Sequence, residues 1–199
     1  PTCGSGGMLI QSKQYLEEQG KNARNLALYG QDNNGTVWSI CKMNMILHNI
    51  PDAHIENDDT LENPAFVEGG YIKQFDRVIA NPPFSQNYSR ATMKFPQRFH
   101  HGFTPESGKK ADLMFVQHMI ASLKPGGKMA TIMPHGVLFR GGAEKAIRES
   151  ILKEGIVEAI IGLPPSLFYG TGIPACVLVI NKNRPPEQKN TVLFINADA

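Results

Sequence analysis

Asn81-Pro82-Pro83-Phe84 is the segment whose residue types carry the most chemical information. It directly follows Phe75–Ala80, which reads as a strand, so the four residues stand at a strand's carboxyl end. Two successive prolines fix φ and delete two backbone N–H groups, leaving carbonyl oxygens as the local polar function. The amine of adenine is a poor nucleophile because its lone pair is delocalised into the ring. Acceptors from the Asn81 side chain and the Pro82 carbonyl could hold both of its N–H bonds and push the nitrogen toward a tetrahedral lone pair. Aimed at a sulfonium methyl, that nitrogen needs positioning and acceptors, and no covalent nucleophile on the protein. Phe84 could stack on a base flipped out of its helix. The alternative is a rigid Pro-Pro turn with a packed phenylalanine.

Three other groups of residues could do chemistry. Gly4, Gly6 and Gly7 occupy a turn leading into a helix, where missing side chains let backbone approach a ligand; an ordinary tight turn uses the same residues. Asp32, after the second strand, could accept hydrogen bonds from a ribose diol, or could be a helix N-terminal acid. Between Lys94 and Lys110, basic residues and histidines (Arg98, His100, His101, Lys109) interleave with Phe95, Phe99 and Phe103, which suits phosphates and unstacked bases as well as it suits a solvated loop. The adjacent His100 and His101 lack a matching cysteine or carboxylate in the sequence, so no metal is expected.

The elements that must position these groups follow from periodicity and punctuation. Met8–Glu18 reads as a helix stopped by Gly20, and Arg24–Gln31 as a strand. Asn33–His48 is a second helix, with Trp38, Cys41 and Met45 on one face and Pro51 closing it. Strands are expected at Ala53–Glu56, Phe75–Ala80, Lys128–Met133, Val157–Leu163, Ala175–Asn181 and Thr191–Asn196, and helices at Ala111–Leu123 and Gly142–Lys153. Lys124-Pro125-Gly126-Gly127 reads as the terminator of the first of these, and Ser85–Lys110 as a long loop. Strands alternating with helices, several apolar throughout, predict an α/β fold with a mainly parallel sheet covered on both faces. Two consecutive strands within Val157–Asn181 predict a hairpin and one antiparallel strand near the C-terminus.

Length and composition leave room for one domain over 1–199. A formal charge of +2 places any nucleic-acid contact on a local patch. Three widely spaced cysteines, Cys3, Cys41 and Cys176, form no CxxC pair and suggest small packing residues in a reducing compartment. No apolar run approaches the ~20 residues of a membrane span, and the start carries no basic-then-apolar signal, so a cytoplasmic protein with no membrane partner is expected.

The segments Pro1-Thr2-Cys3-Gly4-Ser5-Gly6-Gly7, Tyr29-Gly30-Gln31-Asp32, Asn81-Pro82-Pro83-Phe84, Leu123-Lys124-Pro125-Gly126-Gly127 and Leu167-Phe168-Tyr169-Gly170-Thr171-Gly172-Ile173-Pro174, in this order and spacing, resemble the modification subunits of type I restriction-modification systems. The resemblance implies the class I S-adenosylmethionine-dependent methyltransferase fold and N6-adenine methylation of DNA, with double-stranded DNA, a specificity subunit and a restriction subunit as partners. By the same resemblance Thr2, Cys3, Gly4, Ser5, Gly6 and Gly7 cradle S-adenosylmethionine, Asp32 holds its ribose, Asp59 borders its adenine and Asn81 adjoins it. Phe168 or Tyr169 joins Phe84 in clamping the target base. Asp59 could equally be a turn acid, and the hairpin aromatic a packed one. The family has a central strand and an N-terminal helical region before the glycine turn, and more often Glu than Asp at the position of Asp32. Residues 1–199 therefore read as a partial catalytic core with little activity alone. A protein-glutamine or RNA-base amino-methyltransferase shares the Asn-Pro-Pro-aromatic pattern, and a catalytically silent nucleic-acid-binding or assembly fragment is the remaining class. Cytosine ring-carbon methylation would require a thiol nucleophile, usually in a Pro-Cys step, and none of the three cysteines follows a proline.

Overall fold

The computed structural model describes residues 1–168 and 172–197. The chain divides into two compact units, Pro1–Ala65 and Phe66–Ala199.

In the first unit, helix α1 (Gly7–Glu18) follows the glycine turn, and strand β1 (Tyr29–Asp32), helix α2 (Gly35–Leu47) and strand β2 (His54–Asn57) come next. β1 and β2 pair in parallel, with Tyr29 opposite His54 and Asp32 opposite Asn57. The Asn34 side chain starts α2 by accepting the Thr36 and Val37 N–H groups, both at 3.1 Å. Leu9 and Ile10 of α1 pack with Cys41 and Met45 of α2, Leu28 and Ile55. Trp38 completes the expected face, its indole N–H donating to the Ile55 carbonyl at 3.0 Å. The first strand begins later than the expected Arg24. Asn22 accepts the Arg24 N–H at 3.0 Å and winds Ala23–Asn25 into a 3-10 turn, a local side-chain bond that competes with extended pairing.

Gly6 sets the start of α1. Its φ is +86°, and a Cβ there would stand 2.4 Å from Met45 Cε and 2.9 Å from Cys41 Sγ. A non-glycine residue in the left-handed region costs ~1–3 kcal/mol before any clash. Gly6→Ala is expected to lower the unfolding free energy by about 2 kcal/mol, read as a lower urea midpoint. An unchanged midpoint would show that the turn reorganises freely.

The second unit opens with a small hairpin, β3 (Val67–Glu68) and β4 (Tyr71–Ile72), turning through Gly69 and Gly70 at φ +59° and +81°. Its sequence signal is Gly69-Gly70 between two short extended pairs, a spacing that suits a two-residue hairpin turn. Strand β5 (Phe75–Ala80), helix α3 (Asp112–Ala121), strand β6 (Leu123–Pro134), short helix α4 (Gly136–Phe139), helix α5 (Ala143–Lys153) and strands β7 (Val157–Gly162), β8 (Ala175–Asn181) and β9 (Leu193–Asn196) follow. The sheet order is β5-β6-β8-β7-β9. β5 is parallel to β6 and β7 to β9, while β8 is antiparallel to both neighbours, so one reversed strand near the C-terminus stands as expected. α3 is buried from Asp112 to Ile120, as a helix apolar on nearly every side must be.

Lys124-Pro125-Gly126-Gly127 does not terminate α3. The helix ends at Ala121, where the Ser122 hydroxyl donates back to the His118 carbonyl at 2.8 Å, and β6 already begins at Leu123. The four residues form an irregularity inside the strand, with a register shift between Phe75 and Arg77 on the partner. Gly127 is required there, because a Cβ would lie 3.0 Å from the Lys124 carbonyl oxygen and 3.2 Å from that of Asp76. No helix among the described residues is long and apolar enough to cross a membrane.

Candidate active site

In the first unit, the glycine turn folds back onto the end of β1. The Cys3 N–H donates to the Gln31 carbonyl at 3.0 Å, and the Gly4 N–H to Asp32 Oδ2 at 2.9 Å. Asp32 Oδ1 accepts the Asn34 N–H at 3.0 Å, so the half-buried carboxylate is fixed between the turn and the start of α2. Each oxygen keeps lone-pair capacity for a further donor, which suits a vicinal diol. Gly30 must be glycine because a Cβ would meet Cys3 and Ile55 atoms at 3.0 Å. Thr2 and Gly4 take positive φ, +47° and +56°, and nothing lies within 4 Å of the place a Gly4 Cβ would occupy. The buried Thr2 Oγ1 has no hydrogen-bond partner among the described residues. Ser5 is exposed and Gly7 begins α1. Contact with the Cys41 thiol and burial push the Cys3 thiol up, and burial pushes Cys176 up to about 11, which disfavours the thiolate at both.

Asp59 caps its own turn. Its Oδ1 accepts the Leu61 and Glu62 N–H groups at 2.8 and 2.9 Å, and its Oδ2 accepts from Asn33 Nδ2 at 3.2 Å. The residue that places this loop is Gln31, to which the sequence assigned no role. Its buried amide donates to the Asp58 and Asn63 carbonyls at 3.0 and 2.9 Å, and its oxygen accepts the Ala65 N–H at 2.9 Å. All three bonds go to main-chain atoms more than 25 positions away, so spacing alone carried no signal. Gln31→Ala leaves two carbonyls and one N–H without their partner. We expect a loss of about 2–3 kcal/mol in stability, with the 58–65 segment exchanging its amide protons far faster. Unchanged exchange there would remove this role from Gln31.

In the second unit, β5 delivers Asn81-Pro82-Pro83-Phe84 to its carboxyl end. Asn81 is exposed, Pro82 buried and Phe84 half-buried. The connection from β7 to β8 brings Phe168 to Phe84, ring centroids 6.3 Å apart at 83°, so these two expected aromatics meet edge to face. Tyr169 lies outside the described residues.

Just past the motif the backbone turns at Ser85, φ +60°, whose N–H donates to Asp112 Oδ1 at 3.2 Å. Asp112 opens α3 with its side chain 1% exposed, and its other oxygen pairs with Arg140 at 2.9 Å. Arg140 also binds Glu144 at 3.1 Å, and Lys110 reaches Glu144 at 3.3 Å. Two carboxylates and two cations thus neutralise one another behind the motif. Gly136 permits the arrangement, since a Cβ there would lie 2.5 Å from the Arg140 guanidinium. Arg148 donates to the Val137 and Arg140 carbonyls at 3.1 and 3.0 Å and holds α4 beneath it.

The segment after the motif is a long connection, as expected, with much of its length exposed and a few residues anchored in the interior. Arg98 and Phe99 are buried in a 3-10 turn (Pro96–Phe99), and Arg98 binds His118 Nδ1 at 2.6 Å. Burial first, then the Arg98 charge, hold His118 well below the usual histidine range, so a neutral ring faces the guanidinium. Thr104 bonds the Lys110 carbonyl at 2.7 Å, and Ala111 N–H bonds the Gln86 carbonyl at 3.1 Å. Lys94 and Lys109 remain exposed. The premise for excluding a metal at His100 and His101 also fails, since the fold brings Glu154 to both rings.

A family described as N-6 DNA methylase matches residues 1–199. The chain is 37% identical over 210 residues to the type I restriction enzyme MjaVIII methylase subunit of Methanocaldococcus jannaschii, covering 99% of this chain and 35% of that protein. It is 34% identical to the HindI methylase subunit of Haemophilus influenzae, covering 99% and 43%. The chain therefore spans about a third to two fifths of these relatives. Among solved structures, a type I restriction-modification system methyltransferase subunit from Streptococcus thermophilus matches with a TM-score of 0.86 at 36% identity, over 100% of this chain and 41% of that one. A Listeria monocytogenes protein described as a class I S-adenosylmethionine-dependent methyltransferase matches at 0.72 and 22% identity, covering 100% and 57%, and carries the fold alone.

Proposed function

We propose, from the premise that the chain belongs to the N-6 DNA methylase family, that it forms the catalytic core of an enzyme that transfers a methyl group from S-adenosylmethionine to the exocyclic amine of a flipped adenine in DNA. The observation that carries this reading is Asn81-Pro82-Pro83-Phe84 at a strand's carboxyl end with Phe168 edge-on to Phe84. Phe84 offers its face to the base and Phe168 limits where the base can lie, while the exposed Asn81 amide oxygen and the Pro82 carbonyl accept the two amine protons. Those bonds strengthen as the nitrogen becomes tetrahedral, so they favour the transition state over the bound base.

The first unit's donor set fits an adenosyl cofactor. The carboxylate of Asp32 retains acceptor capacity for a ribose diol, Gly4 is open on its Cβ side, and the buried Thr2 hydroxyl lacks a protein partner among the described residues. When bound, the cofactor supplies an electrophilic methyl on a sulfonium. Cys3, Ser5, Gly6 and Gly7 shape the turn around it, and Asp59 with Gln31 fixes the loop that closes the adenine side. No role in methyl transfer falls to a metal.

The relatives' names, methylase subunits of type I restriction enzymes, further support a methylase subunit of such an assembly. We infer that it works in the cytoplasm on double-stranded DNA with a specificity and a restriction subunit. The test is transfer of radiolabel from S-adenosylmethionine, with the intact protein, with and without its specificity partner. Labelled N6-methyladenine only with the partner is expected; label on protein or RNA would overturn the assignment.

A further inference from the structure

We propose that His100, His101 and Glu154 form a binding site for a divalent transition-metal ion, zinc by the match of ligands and spacing, that ties the connection after the catalytic motif to the end of α5. His100 Nε2 lies 3.2 Å and His101 Nε2 3.4 Å from Glu154 Oε1, and one ligand atom from each residue lies within 4.8 Å of the other two. A tetrahedral zinc ion with bonds of ~2.0–2.1 Å separates neighbouring ligands by ~3.3–3.4 Å, so two of the three edges already have the right length. The third needs only a rotation of His100, which is 58% exposed and faces solvent.

His101 gives the independent sign. Its side chain is 1% exposed, yet Nε2 makes no hydrogen bond, and the nearby carboxylate oxygen is poorly aligned to accept one. Its other nitrogen, Nδ1, lies 2.9 Å from Ser150 Oγ. Donation from Nδ1–H to that hydroxyl fixes the tautomer whose lone pair is on Nε2, the arrangement that orients ligating histidines. The backbone is equally constrained. The His101 N–H donates to Gln117 Oε1 at 3.2 Å, Gln117 Nε2 donates to the Gly102 carbonyl at 2.9 Å, and the Gly102 N–H reaches the Phe99 carbonyl at 3.0 Å. One ligand is buried and two face water, so solvent completes the coordination and the ion exchanges freely.

The position gives the ion a consequence. Helix α5 carries Glu144 of the charge cluster in its first turn and Glu154 just past its last. A metal at the far end would hold against the same helix the segment whose other end, Lys110, is already salt-bridged to Glu144.

The experiment is titration of the intact, tag-free protein with cobalt(II) and then zinc, followed by calorimetry and visible absorption. One equivalent is expected to bind, with ligand-field bands of a nitrogen and oxygen site and no thiolate charge-transfer band. Ser150→Ala should weaken affinity ~10–100-fold. The exposed-side variants His100→Ala and Glu154→Gln, which leave the buried ring in place, should weaken it at least as much. No saturable binding, a thiolate band, or unchanged affinity in these three variants would overturn the site. Methyl transfer does not enter the readout, so the outcome is independent of the proposed activity.

Discussion

Asn81→Ala is expected to lower methyl transfer about 10²–10³-fold while leaving S-adenosylmethionine affinity within a few fold. Asn81 is exposed and its amide lies at a strand end, so truncation removes an acceptor without opening a cavity. The Pro82 carbonyl remains, and one of the two amine protons keeps its partner. The lost bond is the one that tightens as the amine nitrogen pyramidalises, so the defect belongs in the single-turnover rate. Asn81→Asp retains an acceptor of similar reach and should fall between wild type and Asn81→Ala. Unchanged turnover in the alanine variant would leave the motif a rigid turn and nothing more.

Asp112→Ala is expected to destabilise the second unit by about 3–5 kcal/mol, the usual consequence of deleting one partner of a buried ion pair. The carboxylate is 1% exposed and holds both Arg140 and the Ser85 N–H. Arg140 keeps Glu144, which places the loss toward the lower end. Asp112→Asn preserves an acceptor for Ser85 but not the charge, and should cost less. Adding Arg140→Met to Asp112→Ala should lower the stability further, because the buried Glu144 then keeps only Lys110. Denaturant midpoints of the three variants test this ordering. If Asp112→Ala alone leaves the midpoint unchanged, the cluster contributes nothing to holding the segment behind the motif. Below its melting temperature Asp112→Ala should also transfer methyl groups more slowly, since Ser85 is four residues from Asn81.

What was legible in the sequence is whatever is written locally. The helices over Met8–Glu18, Asn33–His48 and Gly142–Lys153, the reversed strand Ala175–Asn181, and the motif at the end of Phe75–Ala80 stand within a residue or two of expectation, because periodicity and caps are short-range. Asp32 beside the glycine turn was legible through its place after a strand. Gln31, the Asp112–Arg140 pair and the Glu154 that joins the histidines were not, since each depends on partners 27 or more positions away. In the stretch Lys94–Lys110 the burial of Arg98 and Phe99 was hidden for the same reason. Arg98 and Phe99 look like ligands for phosphate and base, but α3 supplies His118 and a buried face that absorb them.

The reversed strand also dictates an order of events during synthesis. β8 sits in the middle of the second unit's sheet, between β6 and β7, although it is made after both of them. As the chain leaves the ribosome, β5 and β6 can pair at once, but β6 then presents an open edge until Ala175–Asn181 emerge. From Pro134 to Ala175 is roughly 40 residues, about 2–8 s at ~5–20 residues per second. Through that interval the open edge of β6 is a template for any other extended chain, so this sheet is exposed to misassembly, and in need of a chaperone, until β8 fills the gap.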